Sequence, residues 1–121
     1  MGRLYYGNST ESIVMPDRVL AHLKIVTSTK LRRSESFTVS FPQPGNPEGR
    51  STIWLHCSIP LRFEQDRADI GIDRRYLEEL AQAAASSGGV VLDYSEVELE
   101  TTDAEREAAP VALASDLRRV A

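Results

Sequence analysis

The stretch from Ser51 to Glu64, STIWLHCSIPLRFE, limits the fold more than any other part of the chain. From Ile53 every second residue is apolar: Ile53, Leu55, Cys57, Ile59, Leu61 and Phe63, with Trp54, His56, Ser58, Pro60 and Arg62 between them. This alternation marks a strand with one buried face, because successive side chains point to opposite sides. Ile53 to Phe63 is long for a single strand, and Pro60 has no N–H to give a ladder. The pattern predicts one long strand with a bend or bulge near Ser58–Pro60. Its outer face is exposed in part or lies at a sheet edge, and Cys57 sits on the buried face.

The other elements are set by local signals. Arg3–Tyr6 reads as a short strand closed by the turn residues Gly7-Asn8-Ser9, with Ser12–Met15 as its hairpin partner. Asp17 is placed to N-cap a helix whose apolar residues Val19, Leu20, Leu23 and Val26 recur at helical spacing. Lys30, Arg32 and Arg33 fall at its C-terminal end, where cations favour the helix dipole. Phe37, Val39 and Phe41 alternate as a second half-buried strand, and residues 42–49, with three prolines and two glycines, predict a long hairpin loop. Asp73 can N-cap a second helix with the stripe Tyr76, Leu77, Leu80, Ala81 and Ala84, ended by Gly88-Gly89, one of them left-handed. Val90–Tyr94 is the last strand, with room to run on to Leu99.

A chain of 121 residues suits one domain with a real core. Its single cysteine excludes an internal disulfide and a multi-cysteine zinc site. The start has no apolar signal region and no run reaches membrane length, so the expectation is a cytoplasmic protein without a membrane partner. Residues 1–62 carry 8 Lys and Arg against 4 Asp and Glu, whereas residues 63–121 carry 6 against 14. Such a split fits a basic surface shielded by an acidic tail, and fits equally a tail that is simply solvated, the reading preferred here. The division expected is a domain over 1–99 and an acidic tail over 100–121. In the tail, Thr102 and Glu105 match a capping box, and Val111, Leu113, Leu117 and Val120 could form a docking stripe.

Several separated segments occur in one order: MGRLYYG, then Leu20-Ala21-His22-Leu23, then Lys30-Leu31-Arg32-Arg33 with Ser34, then Trp54-Leu55-His56 with Ile59-Pro60-Leu61. In this the chain resembles a family of small actinobacterial proteins of unknown function, often labelled automatically as ATP-dependent DNA ligases. The resemblance spans about residues 1–94. It departs from the usual Trp-Leu-His-Pro of that family at Cys57, and the acidic tail is longer. A ligase nucleophile resembles Lys-x-Asp-Gly, but the lysines here read Lys24-Ile-Val-Thr and Lys30-Leu-Arg-Arg. What the resemblance implies is at most an accessory to such an enzyme.

Two constellations are candidate binding sites. Trp54, His56 and Arg62 would share the outer face of the long strand, where stacking and charge could hold a nucleobase or phosphate; a covering helix would instead make the rings packing residues. Lys30, Arg32 and Arg33, with Arg50 from the loop, could meet phosphates, although helix-end charges in water explain the same residues. His56 and Cys57 cannot act together on a strand, since neighbours point apart. No catalytic residue, metal site or cofactor is predicted. The reading is an α+β fold: a mainly antiparallel sheet of about five strands in ββαββαβ order, two helices on one face, and an acidic C-terminal tail. Its expected core holds Val19, Leu20, Leu23, Val26, Phe37, Val39, Phe41, Ile53, Leu55, Cys57, Ile59, Leu61, Leu77, Leu80 and Val91. The function expected is a binding or interaction module with a protein partner or a second copy of itself, nucleic acid being the alternative.

Overall fold

The long alternating stretch is divided between two sheets. The computed structural model describes residues 1–94, in the order β1 (Gly2–Tyr6), β2 (Ser12–Met15), α1 (Asp17–Arg32), β3 (Phe37–Gln43), β4 (Asn46–Leu55), β5 (Leu61–Gln65), α2 (Arg74–Ala85) and β6 (Val90–Val91). Between β4 and β5 the Ile59 N–H donates to the His56 carbonyl at 3.0 Å, closing a turn, and the Ser58 N–H donates to His56 Nδ1 at 3.1 Å. Pro60 has no N–H, and its carbonyl accepts from the Gly7 N–H at 2.8 Å. The expected bend is therefore a full crossing from one sheet to the other. The turn lifts Cys57 into solvent, which corrects its expected place in the core. The alternation survives on both sides because both sheets face one core. Leu55 is fully buried, and Ile53, Leu61 and Phe63 pack against the same cluster.

One sheet has the order β2-β1-β5 and the other β4-β3-β6. All pairings are antiparallel except β3 with β6, which is parallel. The observed order ββαβββαβ keeps the α+β class, with two three-stranded sheets in place of one of about five strands. A single sheet is expected because Ile53–Phe63 reads as one continuous strand; the turn at 56–60 divides it, and β5 pairs with β1 in the other sheet. α1 packs on β1 and β5, α2 packs on β3 and β6, and the two helices pack on each other. Each sheet thus has its own helix on its inner face.

Local chemistry sets the remaining boundaries. The loop expected over 42–49 shrinks to Pro44-Gly45, because β3 runs through Gln43 and β4 begins at Asn46. Gly45, at φ 74° after Pro44, supplies the left-handed third position of a type II turn. The β3–β4 register shifts between Pro42 and Gln43, where proline cannot donate to the ladder. Asp17 does not cap its own helix: Pro16 is the N-cap residue and makes no side-chain cap. The Asp17 carboxylate is instead fully buried and accepts from the Arg67 N–H at 3.0 Å and the Asp66 N–H at 3.4 Å, fastening the segment after β5. Asp73 does cap α2, accepting from the Arg75 N–H at 3.0 Å.

α1 ends in a Schellman motif. The Ser34 N–H bonds to the Leu31 carbonyl, the Glu35 N–H bonds to the Lys30 carbonyl, and Ser34 holds the left-handed position at φ 60°. α2 ends earlier than the glycines suggest, with Ser86 as its C-cap. Gly89 takes the left-handed conformation at φ 71°, on the way into β6. A Cβ there would lie 2.6 Å from the Thr38 carbonyl oxygen. This approach sets Val90 opposite Val39, both fully buried, and turns Val91 outward, which corrects its expected place in the core. Leu4, Met15, Leu92 and Tyr94 join the core alongside the predicted Leu20, Leu23 and Val26. The continuation to Leu99, the Thr102–Glu105 capping box and the tail over 100–121 lie outside the described residues.

Two substitutions test these backbone positions with opposite signs. Gly89→Ala should lower the stability measured by urea denaturation by about 2–3 kcal/mol, through left-handed strain and the clash with Thr38. Ser34→Gly should raise it by about 0.5–1 kcal/mol, by relieving the strain of a side chain in the left-handed region.

Candidate functional site

Strand alternation decides which side chains leave the core. In β4-β3-β6 it turns Thr38 and Ser40 of β3, Arg50, Thr52 and Trp54 of β4, and Val91 of β6 away from the helices. Trp54 is 55% exposed and stands opposite Thr38. Beside them the Ser40 and Thr52 hydroxyls meet at 2.7 Å. The backbone under the indole is fixed from the other sheet, where the Tyr6 hydroxyl donates to the Trp54 carbonyl at 2.6 Å. Arg50 reaches toward β6: its Nη1 donates to the Leu92 carbonyl at 2.9 Å, and its Nη2 lies 3.8 Å from Asp93. The result is an aromatic and hydroxyl-bearing sheet face whose cation is already paired.

The residues grouped with Trp54 by the sequence lie apart from it. Arg62 is on β5, in the other sheet, with its guanidinium 4.3 Å above the Tyr5 ring and 3.5 Å from Glu64. His56 comes just after the end of β4 and is half-buried in the turn to β5. Its Nδ1 accepts from the Ser58 N–H, lies 2.9 Å from Ser58 Oγ and 4.0 Å from Cys57 Sγ. The turn removes the strand geometry that would hold His56 and Cys57 apart, so the two do meet. With Nδ1 already bonded by Ser58, the contact leaves no free acceptor for the thiol at that nitrogen.

The basic residues also divide. Lys30 Nζ pairs with Glu35 at 3.2 Å, clasping the end of α1, while Arg32 and Arg33 are exposed beside it. Arg50 stands opposite Pro42, five positions along β3 from Phe37, which is roughly 17 Å of strand. Arg50 therefore belongs to the Trp54 face and not to the helix-end cluster.

A buried polar cluster at the α1–α2 junction escaped the sequence reading. His22 is fully buried, with Nδ1 2.7 Å from the Arg18 carbonyl, and its Nε2 accepts from the Asp73 N–H at 2.8 Å. Arg18 Nη2 donates to Asp73 Oδ2 at 3.3 Å and its guanidinium lies 4.4 Å above the Tyr76 ring. That ring tilts against His22 at a centroid distance of 4.8 Å. Burial lowers the proton affinity of His22, and burial pushes the Tyr76 hydroxyl up to about 12. Both imidazole nitrogens bond to backbone groups, so this histidine is placed to hold two helices together rather than to shuttle a proton to a substrate. The available signal was Asp17-Arg18 and His22 one turn apart, with Asp73 at a helix start. Which of these met could not be read from spacing.

Among the described residues no helix is long and apolar enough to cross a membrane, and no three His, Cys, Asp or Glu side chains converge as a metal site. Fold and surface together define a small α+β domain built from a helix pair inside two sheets, with an aromatic face left open on one of them. The chain belongs to a family described as a domain of unknown function (DUF7882), whose family model matches residues 1–95. No curated protein and no solved structure matches the chain.

The position of Cys57 gives a direct test. The native protein should react with a thiol reagent to one equivalent without denaturant. A thiol that labels only after unfolding would return Cys57 to the core.

Proposed function

We propose that the chain is a non-catalytic interaction module that docks protein through the outer face of β4-β3-β6, and that its occupant is a second copy of the chain. Trp54 carries this reading. An indole 55% exposed, on an ordered strand whose carbonyl is held by Tyr6, offers a large apolar surface at little further ordering cost. Val91, also 55% exposed, extends the apolar area across the face. The charge of this face favours protein over nucleic acid, because Arg50 is tied to Leu92 and Asp93. A face so balanced can meet its own copy about a two-fold axis without opposing like charges. The non-catalytic part rests on the histidines: His22 has both nitrogens on backbone groups, and His56 Nδ1 is held by Ser58.

Trp54 is the only tryptophan in the chain, so its emission reports on this face alone. With rising protein concentration the emission should shift to the blue as light scattering moves from the monomer mass to the dimer mass. Trp54→Ala should weaken the dimer by about tenfold or more while changing stability by under about 0.5 kcal/mol. A mass that stays monomeric with unshifted emission at every concentration overturns the self-association.

The second reading is nucleic-acid association, as an accessory to ligation or repair. The observation in its favour is that Arg32 and Arg33 stand exposed at the end of α1, although Lys30 and Arg50 are held in ion pairs. On this reading the protein binds single- or double-stranded DNA with affinity that falls steeply with salt, and Arg32→Ala with Arg33→Ala flattens that dependence by about two phosphate contacts.

A further inference from the structure

We propose that His22 is an acid-sensitive latch that holds the start of α2 against α1. The ring sits on α1 with no exposed surface, and its nitrogens meet two different backbone groups. The Arg18 carbonyl can only accept and the Asp73 N–H can only donate. The partners therefore fix the proton on Nδ1 and leave Nε2 as a bare acceptor. The bond from Asp73 joins residues 51 positions apart, tying the N-cap residue of α2 to the middle of α1. A proton added at Nε2 would set two donors against each other at 2.8 Å, and would leave an imidazolium in a buried place.

The charges around the ring do not relieve this. Arg18, one turn earlier on α1, opposes a second cation, whereas Asp73 on α2 favours one. The Asp73 carboxylate is already engaged: Oδ1 caps the Arg75 N–H at 3.0 Å and Oδ2 meets Arg18 at 3.3 Å. Turning it toward His22 would uncap α2 or break the ion pair. Tyr76, the other titratable group against the ring, keeps its proton up to about pH 12. Burial is the main cause that holds His22 below its ordinary value of 6.5; the bond to the Arg18 carbonyl pulls the other way. A histidine depressed in the folded state adds stability above 6.5, and that contribution is lost as the pH falls through the lower folded value. Release therefore lies on the acid side of 6.5. The helix set loose is the one that covers β3 and β6 through Leu80 and Ala84, on the opposite side from Trp54. The latch does not depend on what Trp54 binds.

The test is nuclear magnetic resonance of the full chain from about pH 7.5 down to the onset of global unfolding. It tracks the His22 ring and the exchange protection of the amides, corrected for the intrinsic pH dependence of exchange. Amides from Asp73 to Leu77 should lose protection by about tenfold or more at the acid end while those of β1 keep theirs. The ring should titrate below 6.5, in step with that loss. In His22→Gln the side-chain oxygen can accept from Asp73 but cannot titrate, so protection should be the same at both ends of that range. The latch is overturned by a ring that titrates at or above 6.5, by equal loss in wild type and variant, or by parallel loss in α2 and β1. Where His22→Gln does not fold, the wild-type ring and the α2 amides decide alone: coincident transitions support the latch and separate ones reject it.

Discussion

One turn decides the architecture. Residues 56–60 combine a closed turn, a histidine side chain bonded to its own backbone, and a proline that cannot extend a ladder. A strand that leaves one sheet there can join another without breaking its inward and outward alternation, provided both sheets line one core. The second sheet depends on this step, since β5 pairs with β1 along Gly2–Tyr6 and brings the first hairpin into the domain. So does the exposure of Cys57, and so does the Tyr6 hydroxyl that reaches the Trp54 carbonyl.

The helices answer a second constraint. Here each sheet packs against its own helix, and the two helices settle against one another. Their junction is polar where a fully apolar contact would serve for burial alone. Asp17, His22 and Asp73 bond mainly to backbone groups, with the Asp66, Arg67 and Arg75 N–H groups among the donors and the Arg18 carbonyl beside His22, while the Arg18 side chain pairs with Asp73. These bonds give partners to backbone amides along the connection from β5 to α2. The polar junction thus fixes the connection as well as the helix contact, and the same geometry makes one of its members sensitive to protons.

The two sheets differ on their outer faces. On β1 and β5 the outward residues are Arg3, Tyr5, Arg62 and Glu64, joined by ion pairs and by the stacking of Arg62 on Tyr5. That face is mainly charged and internally paired, with Val14 of β2, beside Arg3, as its exposed apolar residue. On β4-β3-β6 the outward residues are hydroxyls, Trp54, Val91 and a paired arginine, and an indole left in water has apolar surface to bury. The contrast is what supports the proposed docking on one sheet rather than on the other.

Much of this was legible from local pattern. The hairpin of Arg3–Tyr6 with Ser12–Met15, the helix faces of Leu20, Leu23, Val26 and Leu80, the strand over Phe37–Phe41 and the Asp73 cap are all dictated by periodicity and capping chemistry. Each of those signals is confined to a few neighbouring residues. Alternation, by contrast, reports only that a side chain faces a core; it does not say which sheet carries it. One strand with a bend and two strands in two sheets therefore give the same pattern from Ile53 to Phe63. The exposure of Cys57, the meeting of His56 with Cys57, the parting of Trp54 from Arg62, and the bond from Asp73 to His22 were decided by the tertiary structure. Each depends on where the chain goes after a turn, and the direction of the next strand or helix is fixed there by hydrogen bonds to residues far away in sequence.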